Sequence, residues 1–228
     1  MTAAAASLRP GVILDRDGTL IDVVRDEETG ALSVAFHPDQ IRLLPGVVEG
    51  LTLLAAAGYG FAIATNQPGP AKGQFSVAAV ERTNRALLDV LSAAGIEISV
   101  LEVCLHHPSG GPGGDAQWVG ECECRKPKPG MLIRAIERAG FDPERTWMVG
   151  DSPADVSAAR AANVRAALVF ASNRCEICPL RAGPAALRHA CAGDPHSLTH
   201  RMRYVCANRD RVRSPRSLPV GAVRAVFG

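Results

Sequence analysis

The stretch Gly11–Ile21, GVILDRDGTLI, joins a short apolar run to an acidic turn. Its first four residues are apolar enough to form a strand that is buried on both faces, as the strands of parallel sheets are. Asp15 and Asp17 follow directly after this strand. Ligands of open parallel sheets bind beyond the carboxyl ends of the strands, so these two carboxylates are predicted to face a binding site. The alternative is a solvated acidic turn.

Strand and helix patterns alternate on both sides of this stretch. Strands are predicted at Gly11–Leu14, Gly60–Ala64, Ile98–Val103, Thr146–Val149 and Ala166–Phe170, and helices at Pro45–Ala57, Ser76–Ala94, Pro129–Ala139 and Asp155–Ala162. Such alternation needs crossover connections and predicts an α/β fold with a doubly wound, mostly parallel sheet. The longer connection Asp22–Leu44 is expected to form a hairpin or a flap over the strand ends.

The composition is that of a globular protein with a balanced charge. Of the 228 residues, 47% are hydrophobic, and 25 Lys and Arg face 23 Asp and Glu, a net charge of +2. This excludes a chain disordered throughout and does not point to nucleic acid or a membrane as partner. The first residues, MTAAAASLRP, lack the pattern of a secretory signal, and the apolar stretch Leu51–Ala64 is too short to span a bilayer. We therefore expect a cytoplasmic protein.

Three further motifs carry polar side chains where predicted strands end or helices begin. Thr65-Asn66-Gln67 follows the second strand, Arg125-Lys126 precedes a helix, and Gly150-Asp151 follows the fourth strand. A hydroxyl, an amide and a lysine can hold phosphate oxygens, and Asp15 with Asp151 could bind Mg²⁺. Each motif alone also fits a plain turn, a surface loop or a helix cap.

A cysteine and histidine cluster lies between the third strand and the third helix. Cys104-x-His106 and Cys122-x-Cys124 flank a glycine-rich loop. Three thiolates and an imidazole complete a tetrahedral site with no open position, which is typical of structural zinc. The alternatives are three reduced, buried cysteines, or His107 in place of His106 as the fourth ligand.

The acidic turn at Asp15 and Asp17, followed in order by the motifs at Thr65, Lys126 and Asp151, resembles the motif set of the haloacid dehalogenase superfamily of phosphohydrolases. The resemblance implies a Rossmann-like core in which Asp15 is the nucleophile and Asp17 the general acid and base. It also implies Mg²⁺ on the Asp15 carboxylate, the Asp17 backbone carbonyl and Asp151. The implied substrate-binding residues are Thr19, Thr65, Asn66, Gln67, Lys72, Arg125 and Lys126.

The cysteine cluster narrows this resemblance to one branch of the superfamily. LDRDGTLI (14–21), ATNQPGPAKGQF (64–75) and CECRKPKPGM (122–131) are similar to the D-glycero-D-manno-heptose 1,7-bisphosphate 7-phosphatases. That family implies removal of the 7-phosphate from a sugar bisphosphate. The residues 23–40 form a longer flap than that family has, and we expect no aromatic side chain of the flap near the sugar. A histidinol-phosphate phosphatase, another sugar-phosphate phosphatase, a polynucleotide 3'-phosphatase and a zinc-stabilised binding module are the alternatives.

The chain is expected to divide into a catalytic core and an extension. The core covers residues 8–172, with a zinc-binding loop at 104–124, and residues 173–228 form a Cys/Arg-rich extension that is partly disordered. Arg201–Gly228 holds seven arginines against one acid, Asp210, which predicts a solvated tail more than a nucleic-acid arm. Four cysteines of the extension could bind a second metal, namely Cys175, Cys178, Cys191 and Cys206. We expect a monomer.

Overall fold

The computed structural model describes residues 8–25, 28 and 30–169, together with the backbone of residues 205–206. The strands are β1 (Arg9–Leu14), β2 (Val24–Arg25), β3 (Leu32–Ser33), β4 (Gly60–Asn66), β5 (Ile98–Cys104), β6 (Phe141–Gly150), β7 (Arg165–Leu168) and β8 (Val205–Cys206). The helices are α1 (Val47–Ala56), α2 (Gly69–Lys72), α3 (Val77–Ala93), α4 (Gly130–Ala139) and α5 (Pro153–Ala161). Two 3-10 turns lie at Pro38–Gln40 and Ala116–Trp118.

The main sheet has six strands in the order β5-β4-β1-β6-β7-β8. β1 pairs in parallel with both β4 and β6, and Leu14 lies beside Ile63 on one side and beside Val149 on the other. β8 pairs antiparallel with β7 at the edge. Because β1 is central and the chain winds outward from it in both directions, the predicted doubly wound, mostly parallel sheet is confirmed.

Both faces of the sheet are covered by helices. Val12 and Leu14 of β1 pack with residues of α1 and α3, such as Leu51 and Leu87, in one buried cluster. Ile13 points to the other face and packs with residues of α4 and α5, such as Met131, in a second cluster. Successive residues of a strand face opposite sides, so the unbroken apolar run of β1 supplies both clusters.

The helix signals of the sequence place most boundaries within one or two residues. α3 begins after Ser76, whose side chain accepts a hydrogen bond from the Ala79 backbone, and α4 ends at Gly140, which has a φ of 64°. A positive φ is accessible to glycine without strain, which explains this stop signal. α2 was not predicted, because its four residues, GPAK, have the composition of a turn.

The connection between β1 and α1 forms a flap, as expected. β2 and β3 pair antiparallel as a short hairpin, and Ile21 forms a bridge with Leu43 that closes the base of the flap. The flap does carry an aromatic side chain: the ring of Phe36 stacks on Phe75, with centroids 5.1 Å apart. The expectation of a flap without an aromatic near the site therefore overlooked Phe36.

The proposed second metal site and most of the extension lie outside the described residues. Only the backbone of β8 belongs to that part of the chain. Among the helices that the structure does describe, none has the length and apolar character needed to cross a membrane.

Candidate active site

Three carboxylates meet at the carboxyl edge of the main sheet. Asp15 follows β1, and its backbone N–H donates to the carbonyl of Val149 in β6 at 2.9 Å. Asp151 follows β6, and Asp155 lies in the first turn of α5. One oxygen from each of these side chains lies within 4.8 Å of the other two. Asp15 and Asp151 thus lie close together, as their positions at the ends of neighbouring strands predicted, and Asp155 lies beside them.

Lys126 is buried and contacts two of these three carboxylates. Its ammonium contacts Asp15 Oδ1 at 2.8 Å and Asp155 Oδ1 at 2.7 Å, and it donates to the carbonyl of Ala64 at 2.7 Å. These three acceptors match the three protons of the ammonium group. Burial opposes the charge of Lys126, but Asp15 and Asp155 outweigh it and raise its pKa. Lys126 is therefore a fixed cation beside the predicted nucleophile.

The same arrangement changes the acidity of Asp15. Burial raises its pKa to about 6, and the negative charges of Asp155 and Asp17 act in the same direction, while Lys126 opposes them. In the metal-free protein, Asp15 therefore loses its proton around pH 6.

Asp155 is a site residue that the sequence reasoning did not assign. Its second oxygen accepts hydrogen bonds from the Ser152 backbone N–H at 3.0 Å and from the Ser152 hydroxyl at 2.6 Å. The spacing Ser152-x-x-Asp155 is that of a helix N-terminal capping box, and this signal explains the position. The contact with Lys126 could not be inferred from that signal.

The carboxylate of Asp17 is turned toward Arg16 and Gln67. Arg16 contacts it with Nε at 2.9 Å and Nη2 at 3.2 Å, and the Gln67 amide donates to it at 2.7 Å. The backbone N–H of Ala35, in the flap, donates to it at 3.0 Å. Asp17, the predicted general acid and base, thus lies two residues from Asp15 along the chain. The groups that contact its carboxylate are all hydrogen-bond donors.

The amides predicted to bind substrate make contacts within the protein. Asn66 donates to the backbone carbonyl of Lys126 at 3.0 Å and accepts from its N–H at 3.1 Å. Gln67 is fully buried and also donates to the Thr65 hydroxyl at 2.8 Å. These contacts hold Lys126 and Asp17 in place. Thr19 is fully buried as well, and its hydroxyl has no hydrogen-bond partner among the described residues.

The carboxylate cluster fits a divalent cation. Mg²⁺ prefers hard oxygen ligands, and Asp15 and Asp151 offer carboxylate oxygens from neighbouring strand ends. The predicted third ligand, the backbone carbonyl of Asp17, belongs to the turn that contacts Asp151. A methyl group added at Gly18, which has a φ of 80°, would overlap the Asp151 carboxylate. Glycine at this position therefore lets the turn approach the metal-binding side chain.

The cysteine cluster forms one compact group as predicted. The sulfur of Cys104 lies 3.7 Å from that of Cys122 and 3.1 Å from that of Cys124. The Nδ1 atom of His106 lies 3.5 Å from the Cys124 sulfur. Ligand atoms around a tetrahedral zinc ion are separated by roughly 3.5 to 3.8 Å. The distances here run from 3.1 to 3.9 Å, so small shifts would bring the group to the geometry of this metal. His106, not His107, is the histidine beside the thiols.

Burial raises the pKa of the Cys104 thiol, and hydrogen bonding from Cys124 acts in the same direction. In the metal-free protein this buried group is thus held as a thiol. Zinc binding needs the thiolate, and the charge of the metal compensates for the loss of the proton. Zinc binding at this position would therefore release a proton.

The loop that carries the cysteine cluster also packs against α2. A methyl group at Gly114 would overlap the carbonyl oxygen of Ala71, and one at Gly111 would press on the backbone of Lys72. Asp115 donates its N–H to the Pro70 carbonyl at 3.0 Å. The loop therefore meets α2 backbone to backbone, which only glycine permits at these positions.

Lys72 and Arg125, two further cations predicted to bind substrate, both lie near enough to His107 to affect its pKa. Burial lowers the pKa of His107, and the charges of Lys72 and Arg125 add to that effect. Arg125 also donates to the carbonyl of His106 at 3.1 Å. Arg125 therefore lies next to the cysteine cluster, and it precedes the buried Lys126 by one residue.

The sequence is similar to those of known phosphatases. The chain is 36% identical over 158 residues to a D-glycero-beta-D-manno-heptose-1,7-bisphosphate 7-phosphatase of Pseudomonas aeruginosa, covering 69% of this chain and 79% of that protein. It is 38% identical over 161 residues to the protein of the same name from Rhodopseudomonas palustris, covering 71% of this chain and 83% of that one.

A solved structure gives the same result. The crystal structure of D,D-heptose 1,7-bisphosphate phosphatase from B. bronchiseptica, complexed with magnesium and phosphate, superimposes with a TM-score of 0.55 and 30% identity, covering 69% of this chain and 78% of that one. The family model for haloacid dehalogenase-like hydrolases matches residues 23–163. These matches confirm the resemblance carried by the motifs: the chain belongs to the haloacid dehalogenase-like hydrolases.

Proposed function

We propose that this protein is a Mg²⁺-dependent phosphatase that removes the 7-phosphate of D-glycero-β-D-manno-heptose 1,7-bisphosphate. The observation that carries the proposal is the convergence of Asp15, Asp151 and Lys126 at one edge of the sheet, with Asp17 on the same turn as Asp15. The substrate, including the β anomer, is taken from the names of the relatives that are 36% and 38% identical.

In the first step, an Asp15 oxygen attacks the phosphorus and the bond to the sugar oxygen breaks. Asp17 gives a proton to that oxygen, so the sugar leaves as an alcohol and Asp15 becomes an aspartyl phosphate. Lys126, at 2.8 Å from Asp15, offsets the repulsion between the carboxylate and the phosphate dianion. Mg²⁺ held by Asp15, the Asp17 carbonyl and Asp151 would neutralise further negative charge on the phosphoryl oxygens.

In the second step, water attacks the phosphorus of the aspartyl phosphate and gives a proton to Asp17. Inorganic phosphate leaves, the Asp15 carboxylate is regenerated, and Asp17 is again protonated for the next turnover.

The remaining polar residues would bind the substrate or position those that do. We assign Thr65 to the transferred phosphate, on which Lys126 acts through its positive charge beside Asp15, and Lys72 and Arg125 to the rest of the sugar bisphosphate. Asn66 and Gln67 act through Lys126 and Asp17, since their amides contact those residues. The buried Thr19 would support the turn that carries the carboxylates.

We further propose that Cys104, His106, Cys122 and Cys124 bind a structural zinc ion. Lys126 follows Cys124 by two residues, so an ordered metal site would fix the start of the segment that inserts Lys126 between Asp15 and Asp155. Its role would be to position this lysine.

The catalytic unit is proposed to cover residues 8–172 and the extension residues 173–228. The match with the hydrolase family supports this division, since it ends at residue 163. The monomeric state and the cytoplasmic location stay predictions.

Phosphate release tests the proposed function. We expect the wild-type protein with Mg²⁺ to prefer the β anomer of the heptose bisphosphate over the α anomer, histidinol phosphate and a 3'-phosphorylated oligonucleotide. Asp15→Asn should abolish turnover while circular dichroism stays unchanged. Preference for another substrate would refute the sugar assignment alone, whereas full activity of Asp15→Asn would refute the mechanism.

A further inference from the structure

Arg16, between the two catalytic aspartates, is a fully buried cation. Its side chain has a relative exposure of 0%, which is rare for arginine unless the group is paired. Its Nη1 donates to Asn84 Oδ1 at 2.6 Å, and its Nη2 donates to the carbonyl of Ala35 at 2.6 Å. Its Nε donates to Asp17 Oδ2 and its Nη2 also donates to Asp17 Oδ1, so the guanidinium contacts both oxygens of Asp17.

Arg16 thus connects Asp17 to two distant parts of the fold. Asn84 lies on α3, 68 positions further along the chain, and is itself buried. Ala35 lies in the flap and contacts both Arg16 and Asp17: its carbonyl accepts a hydrogen bond from Arg16, and its N–H donates to Asp17. A planar guanidinium with several fixed donors holds a carboxylate in one orientation, which a lysine cannot do.

We propose that Arg16, anchored by Asn84, is a positioning residue for proton transfer by Asp17. The inference rests on the proposed function, because it concerns the step in which Asp17 protonates the leaving oxygen. General acid catalysis depends strongly on the distance and direction of the donor. Arg16 fixes that direction for Asp17, and Asn84 fixes Arg16 from a helix that does not carry either aspartate.

The choice of substrate separates this role from a merely structural one. An alkyl phosphate such as the heptose bisphosphate needs a proton on its leaving oxygen, whereas p-nitrophenyl phosphate releases a stable phenolate without one. Because kcat/KM covers the steps up to release of the leaving group, a displaced Asp17 lowers it for the sugar phosphate only. General damage to the site lowers it for both substrates by the same factor.

The experiment compares variants of the full chain on both substrates. Asn84→Leu removes the acceptor for Arg16, Asn84→Asp retains it, and Arg16→Lys keeps the charge but loses the planar contact. Thr83→Val is the matched control, because Thr83 is also buried on α3 but its hydroxyl donates to the Ala79 carbonyl within its own helix. Circular dichroism and thermal unfolding show which variants are folded.

We expect Asn84→Leu and Arg16→Lys to lose about tenfold or more in kcat/KM on the sugar phosphate and less than about threefold on p-nitrophenyl phosphate. Asn84→Asp and Thr83→Val should match the wild type on both. Equal losses on the two substrates, or an Asn84→Leu variant as active as Thr83→Val, would overturn the inference. If the wild type hydrolyses neither substrate, the proposed function is wrong and the inference is lost with it.

Discussion

Replacing Asp155 by asparagine tests the ion-pair network around Lys126. Asp155 Oδ1 contacts the Lys126 ammonium at 2.7 Å, and Oδ2 accepts from the Ser152 backbone N–H at 3.0 Å. Asparagine has nearly the same shape but no charge, and it must place an NH₂ group opposite one of these two donors. Lys126 keeps its contact with Asp15, so the variant weakens the network and leaves a partner for the buried cation.

The expected loss of stability is the sum of two contributions. A charge-assisted contact with Lys126 becomes a neutral one, at about 1 to 2 kcal/mol, and the cap of α5 is lost, at about 1 kcal/mol. The free energy of unfolding should therefore fall by about 2 to 3 kcal/mol. For a chain of this size, that lowers Tm by roughly 4 to 12 °C.

Urea unfolding in buffer without added Mg²⁺ measures this change. Asp142→Asn is the matched control, because Asp142 accepts a backbone hydrogen bond from Glu144 at 3.0 Å and the amide oxygen of asparagine can do the same. We expect that control to change the free energy of unfolding by less than about 0.5 kcal/mol. An Asp155→Asn variant as stable as the control would show that the contact with Lys126 contributes nothing measurable to the fold.

Three further predictions concern the metals and the placement of Lys126. Asn66→Ala removes both hydrogen bonds to the Lys126 backbone and should lower kcat by about tenfold or more, as steady-state kinetics would show; unchanged kcat contradicts the positioning role. Cys124→Ser should lower the zinc content measured by mass spectrometry together with kcat, and an unchanged zinc content would exclude Cys124 as a ligand. Mg²⁺ must displace the proton that Asp15 holds below its pKa of about 6, so calorimetry should find binding about tenfold weaker at pH 5 than at pH 7.5, whereas equal affinities would contradict that pKa.

The parts of the site that the sequence predicts are those fixed by strand ends. Asp15 and Asp151 each follow an apolar run, and parallel strands bring their carboxyl ends to one edge, so their proximity needs no knowledge of side-chain contacts. The cysteine cluster could be predicted equally well, because two pairs of metal ligands that flank a loop already indicate a four-ligand site. For the same reason the order of the elements, and the helix stops at Gly58 and Gly140, agree with the structure.

The parts that could not be predicted depend on contacts between side chains distant along the chain. Arg16 lies between two acidic residues, and such a position is typical of a solvated turn; its burial depends on Asn84, 68 positions away. Asn66 has the composition expected of a phosphate binder, but its amide faces the backbone of Lys126, 60 positions away. The residue type determines which hydrogen bonds and ion pairs a side chain can form. Which partner it contacts depends on the packing of residues that are distant along the chain.

The glycine-rich contact between the cysteine loop and α2 joins the segment that leads to Lys126 to the helix that ends at Lys72. One end of the loop continues into Lys126, while its middle lies against the backbone of Lys72 with no side chain between them. The loop thus contacts the backbone of one lysine and continues into the other. In the substrate binding proposed above, both lysines would depend on this one segment, so a side chain added at Gly111 or Gly114 would disturb the backbone beside Lys72 without changing either lysine.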